Sequence, residues 1–160
     1  MIESLTKSEF FVGLDERALT AIAAFAHPVA FEANQEVFDR DVDAKSVYVV
    51  LKGRIRQGFE VMPGAMVWFQ TSEPGDLVGF DALIPPRVHN MMAVASERSE
   101  LLEFDSDSLL GYLEAHPDFG YIFMERLAQT LLARLNNTRL QVIHLMPPKE
   151  AEGPTLPRKG

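Results

Sequence analysis

No cysteine occurs in the 160 residues, which excludes a disulfide framework, thiolate zinc sites, iron–sulfur clusters and a cysteine nucleophile. Basic residues are outnumbered: 15 Lys plus Arg stand against 23 Asp plus Glu, for a net charge of −8. A field of that sign repels phosphate backbones and anionic lipid, so nucleic-acid binding by this chain alone is not expected. Nowhere is there a run approaching the ~20 apolar residues needed to cross a bilayer. The first residues also lack the basic-then-apolar order of a secretory signal. Together these gaps predict a soluble, cytoplasmic protein with no membrane partner.

Catalytic patterns are equally scarce. His27, His89, His116 and His144 are scattered along the chain, with no His-x-His or His-Glu-x-x-His pair to hold a metal. There is no Gly-x-Ser-x-Gly elbow and no Gly-rich phosphate loop. The expectation is a binding module with no metal and no catalytic residue; an enzyme on the same scaffold is disfavoured by the missing metal triad.

What is present is enough for one domain, since apolar residues make up 47% and charged residues 24% of the chain. Asp15 is placed to cap a helix in which Leu19, Ile22, Ala23 and Ala26 share a face, and His27-Pro28 should end it. From there to residue 105, short β-branched and aromatic runs alternate with turn formers. Strands are predicted at 29–31, 36–38, 46–51, 54–60, 66–71, 76–78, 91–95 and 100–104. Pro85-Pro86 removes two donors and makes 84–90 a loop. The predicted fold is mainly β: an antiparallel jelly roll, or double-stranded β-helix, flanked by an N-terminal helix and by C-terminal helices, the last one long. The domain should span 1–145, with a helical segment at 10–27, the β-roll at 28–105 and helices at 106–145, and the Pro- and Gly-rich stretch 146–160 should be disordered.

In the last helix Met124, Ala128, Leu131, Leu135, Thr138, Val142 and Leu145 repeat at spacings of four and three, a heptad seam. That seam predicts a homodimer through Ala128, Leu131, Leu135, Thr138 and Val142. Packing against its own domain is the alternative.

The stretch Gly75-Asp76-Leu77-Val78-Gly79-Phe80-Asp81-Ala82-Leu83, with Tyr48 and the Lys52-Gly53 turn upstream, resembles the cyclic-nucleotide-binding domain of catabolite-activator-type regulators and of cyclic-nucleotide-dependent kinases and channels. The resemblance runs over residues 10–145. It implies a phosphate-binding cassette that a Gly-Asp-x-x-Gly-Glu-x-Ala-Leu stretch opens and an Arg closes, with backbone N–H groups and a positive helix end offered to an anion. In ungapped register the family's Glu is Phe80 here, and its Arg is His89, followed by Asn90, Met91 and Met92. The ligand-binding residues implied are therefore Gly79, Phe80, Asp81, Ala82, Leu83, Arg87, His89 and Asn90.

Losing both polar anchors matters, because each charge-assisted hydrogen bond contributes about 1.5–3 kcal/mol. Asp81 adds an acid that opposes a bound phosphate. The resemblance thus implies a regulatory domain that senses a small-molecule effector or a protein partner without binding cyclic nucleotide in the usual way. The alternative is a true binder of cyclic AMP or cyclic GMP using Arg87, or a protonated His89, as the phosphate ligand. Haem, found in some relatives, would need an axial ligand, and a lone His89 does not define one. Relatives of this type continue into a helix-turn-helix domain; about fifteen residues after Leu145 are too few for one.

Overall fold

The computed structural model describes residues 5, 8 and 10–145; the tail expected to be disordered lies outside the described residues. In chain order the elements are α1 (Glu16–Ala23), β1 (Ala26–Phe31), β2 (Glu36–Phe38), β3 (Ser46–Lys52), β4 (Ile55–Met62), β5 (Ala65–Ser72), β6 (Leu77–Val78), a 3-10 turn (Phe80–Leu83), β7 (Met92–Ala95), β8 (Ser99–Asp105), α2 (Ser106–Ala115) and α3 (Pro117–Leu145). All eight expected strands are present. They form two four-stranded antiparallel sheets, ordered β1-β8-β3-β6 and β2-β7-β4-β5, as a jelly roll requires. Among the described residues, those up to Leu127 make one compact unit and those from Ala128 to Leu145 make another.

The first sheet is covered on both faces, which explains the unbroken apolar run of β3. Tyr48 and Val50 point into the roll, where they join Phe38, Ile55, Val78, Ala93, Ala95 and Leu101. Val47 and Val49 point the other way and meet Phe104, Leu109, Phe123 and Ile22 around a junction with no room for a water molecule. Fully burying such a side chain contributes roughly 1.5–3 kcal/mol. Phe119, Phe123 and Leu127 of α3 are buried, and Arg126 Nη1 donates to Phe10 O at 2.7 Å.

The helix caps are local chemistry. Asp15 accepts from the N–H groups of Arg17 and Ala18, as expected. Asp105 accepts from the Ser108 N–H at 2.8 Å and the Ser108 hydroxyl at 2.7 Å, and these two bonds hold its carboxyl below the usual range.

Two boundaries differ from expectation. The first helix ends at Ala23, not near residue 27: the N–H groups of Ala24 and Phe25 bond back to Ala21 O and Ile22 O, and Ala26 already pairs with Phe104. Pro28 therefore lies inside a strand. It is tolerated because β1 is an edge, hydrogen-bonded to β8 alone, where a missing donor on the open side breaks no ladder bond.

At the far edge of the second sheet, β4 and β5 share a bulge between Gln57 and Gly58, and Trp68 sits opposite Gly58 under the Arg56 guanidinium, 4.5 Å from its ring centroid. A Cβ on residue 58 would stand 2.1 Å from Val67 O, a backbone atom with nowhere to go. Gly58→Ala should lower unfolding free energy by about 3 kcal/mol; a denaturant midpoint unchanged from wild type would show that the bulge relaxes freely.

Candidate functional site

The chain leaves β6 through Gly79, whose φ of +77° is left-handed. A Cβ there would lie 3.0 Å from Ser46 O and 3.3 Å from Phe38 Cε1, so both conformation and space select glycine. The 3-10 turn that comes next is anchored by Ala82 and Leu83, both buried, while Phe80 is half-buried. A cis Pro85-Pro86 bond leads on to residues 87–89, as the loop expected there. That segment is stitched to the β2–β3 connection: Ala44 N–H donates to Arg87 O at 2.8 Å, His89 N–H to Val42 O at 3.0 Å, and Asp41 N–H to His89 O at 2.9 Å.

His89 is 3% exposed. Its ring stacks on Phe38, with centroids 3.7 Å apart and planes within 9°, and Phe38 in turn stacks on Tyr48 at 6.2 Å. The imidazole Nδ1 lies 3.5 Å from Asp81 Oδ2, close enough for an ion pair yet without a hydrogen bond among the described residues. Asn90 Nδ2 donates to the other carboxylate oxygen, Asp81 Oδ1, at 2.9 Å. The structure thus brings Asp81, His89 and Asn90 together on one carboxylate.

Arg87 is placed elsewhere. Its Nε donates to Ala82 O at 2.8 Å, its Nη2 to Ser106 Oγ at 2.5 Å, and its Nη1 lies 2.8 Å from Asp107 Oδ1. The guanidinium fastens the end of the 3-10 turn to the start of α2, so the arginine expected as a substitute anion ligand is already committed to other partners. Met91 and Met92 are half-buried.

Two features were not singled out from the sequence. Phe38, read only as a strand residue, is the platform under His89. Gln57 and Ser72, 3% and 0% exposed, lie inside the roll, where Gln70 Nε2 donates to Gln57 Oε1 at 3.1 Å and to Ser72 Oγ at 3.3 Å. Only the register could have found them, since Gln57 stands beside Ala93, a core residue.

Tyr48 closes the stack. Burial, then the Glu103 carboxylate that accepts from its hydroxyl at 3.2 Å, push it up to about 12 from the usual 10.0.

With this geometry established, the sequence profile of the cyclic nucleotide-binding domain matches residues 28–116, and the chain belongs to that family. A CRP-like cAMP-activated global transcriptional regulator of Mycobacterium tuberculosis is 22% identical over 146 residues, covering 91% of this chain and 63% of the relative; the chain thus spans less than two thirds of that protein. Among solved structures, a cyclic nucleotide-binding domain from Methylobacillus flagellatus superposes with a TM-score of 0.78 at 16% identity, covering 92% of this chain and 83% of that one. The c-di-GMP-responsive global regulator of Xanthomonas campestris gives 0.71 at 20% identity, over 82% and 64%. At such identities the structural likeness establishes the fold.

A raised phenol means the folded state keeps a proton that the unfolded state has lost, so the stability it carries is full below pH 10 and drains away as pH rises toward 12. In an ultraviolet titration one of the three tyrosines should ionise late. Tyr48→Phe should remove that late step and flatten the alkaline loss of stability; a late step that survives the substitution would assign it to another residue.

Proposed function

We propose that this chain is a dimeric regulatory domain of catabolite-activator type whose cassette is closed on its own carboxylate, so that it responds to an effector or protein partner other than a conventionally bound cyclic nucleotide. The observation that carries this reading is the convergence of His89 and Asn90 on Asp81. A phosphate entering there would meet a carboxylate 19% exposed and an imidazole in place of a guanidinium fork. The ligand classes of the relatives themselves differ, cyclic AMP for the mycobacterial regulator and c-di-GMP for the Xanthomonas one. We read the chain as a cytoplasmic binding module and not as an enzyme. Its charge of −8 speaks against DNA binding by these residues alone, and no helix among the described residues is long and apolar enough to cross a membrane.

The dimer reading rests on the exposed apolar side chains of α3. Leu135 and Val142 are 46% and 48% exposed, Leu131 is half-buried, and Ala128 and Thr138 are exposed. Leu131→Glu with Leu135→Glu should give monomers in sedimentation; a dimer that persists would place the interface elsewhere.

Calorimetric titration with cyclic AMP tests the cassette. Wild type should bind no tighter than about 100 μM. His89→Arg alone should gain little, because the new guanidinium pairs with Asp81. His89→Arg with Asp81→Ala should gain about tenfold or more. Tight wild-type binding would establish the alternative, a true cyclic-nucleotide binder, and an equal gain from His89→Arg alone would show that Asp81 does not occupy the anion position.

A further inference from the structure

Away from the cassette, the segment leading into α1 and the corner between α2 and α3 enclose a second hollow of about 460 Å³, within the range of small-molecule pockets. Its floor is apolar: Leu14, Ala18 and Phe119 are 8%, 4% and 7% exposed. Its wall is aromatic, with the Tyr112 ring stacked on His116 at 4.0 Å and meeting Phe119 edge-on at 5.8 Å. Asp15 and Asp118 stand at its rim. We propose that this hollow binds a small organic cation, a protonated or quaternary amine carried on an apolar body.

The polarity of the lining selects that class. Asp15 accepts from the N–H groups of Arg17 and Ala18 at 3.4 and 3.3 Å, longer than ordinary hydrogen bonds, and so keeps lone pairs to offer. Asp118, exposed on the first turn of α3, has no hydrogen bond or ion pair among the described residues. His116 Nδ1 lies 2.9 Å from Tyr112 O; a carbonyl only accepts, so Nδ1 is the donor in that contact. The charged groups of the lining are thus both acceptors, and its aromatic rings add attraction for a cation over an anion.

Two effects oppose this and are smaller. The N-terminal ends of α1 and α3 border the hollow and favour anions, but each helix end amounts to about half a charge against a full charge on each carboxylate. Arg126, whose guanidinium passes Gly13, is turned to Phe10 O and does not line the hollow. A neutral apolar ligand would gain nothing from the charge of the rim carboxylates.

The test titrates the full chain with phenethylammonium, its N-trimethyl analogue and neutral 2-phenylethanol, and locates binding by backbone chemical shifts. Both cations should bind about tenfold tighter than the alcohol, with shifts centred on His116 and Ile122. Asp118→Asn and Tyr112→Leu should each weaken the cations about fivefold and leave the alcohol unchanged, in variants whose melting temperatures confirm folding. Failure of the cations to bind, equal affinity for the alcohol, shifts centred on Phe38 and His89, or cation affinity indifferent to both substitutions would each overturn the proposal. None of these readouts depends on what the cassette binds.

Discussion

Because β8 hydrogen-bonds along one edge to β1 and along the other to β3, the first and last strands of the roll close on each other, and both the core and the site inherit their positions from that ladder. Leu101 opposite Val50 and Phe104 opposite Val47 put apolar side chains on both faces of the same strand, one set toward the roll and one toward the helices. Burying two faces at once gives this sheet the largest share of the hydrophobic stabilisation. It also leaves Asp105, the last residue of β8, as the N-cap of α2, so the helical layer starts where the ladder ends. Arg87, held by Ser106 and Asp107, ties the cassette loop to that same point.

The cassette is then limited by the groups that such a core tolerates beside it. Phe38 and Tyr48 belong to the packed interior, and the His89 ring completes their stack. An imidazole buried there, with Asp81 beside it, takes two polar groups largely out of water, which is costly unless each finds a partner. Asn90 satisfies one carboxylate oxygen, and His89 faces the other at ion-pair distance. One carboxylate thus ties the 3-10 turn to the loop that carries His89 and Asn90.

The β-roll was legible because its strands are short, its turns carry Gly, Pro, Asn and Asp, and the helix caps at Asp15 and Asp105 are set by neighbours two or three residues away. Gly79 and the helical turn after it were legible through the family resemblance of residues 75–83, not through turn chemistry. Pro28 was misread because proline's local sterics oppose a helix without choosing between a loop and a strand, and only the edge position of β1 makes a strand acceptable there. The destination of Arg87 was not legible, since its partners Ser106 and Asp107 lie 19 and 20 residues on and are brought near by the β8–β3 ladder, not by local spacing. Phe38 beside His89 is a contact of the same long-range kind.

The long helix shows how far spacing reaches and where it stops. A heptad count singles out Leu131, Leu135 and Val142 because they fall on one line of the helix. Leu132, Leu140 and Ile143 are 57%, 54% and 63% exposed, and they lie along a second line roughly a third of a turn away. A two-stranded seam along the first line leaves the second outside its contact. Periodicity at a single repeat therefore accounts for part of the apolar surface of this helix; the rest has to be explained by whatever else lies against it, or by the tolerance of a Leu-rich helix for scattered exposed side chains.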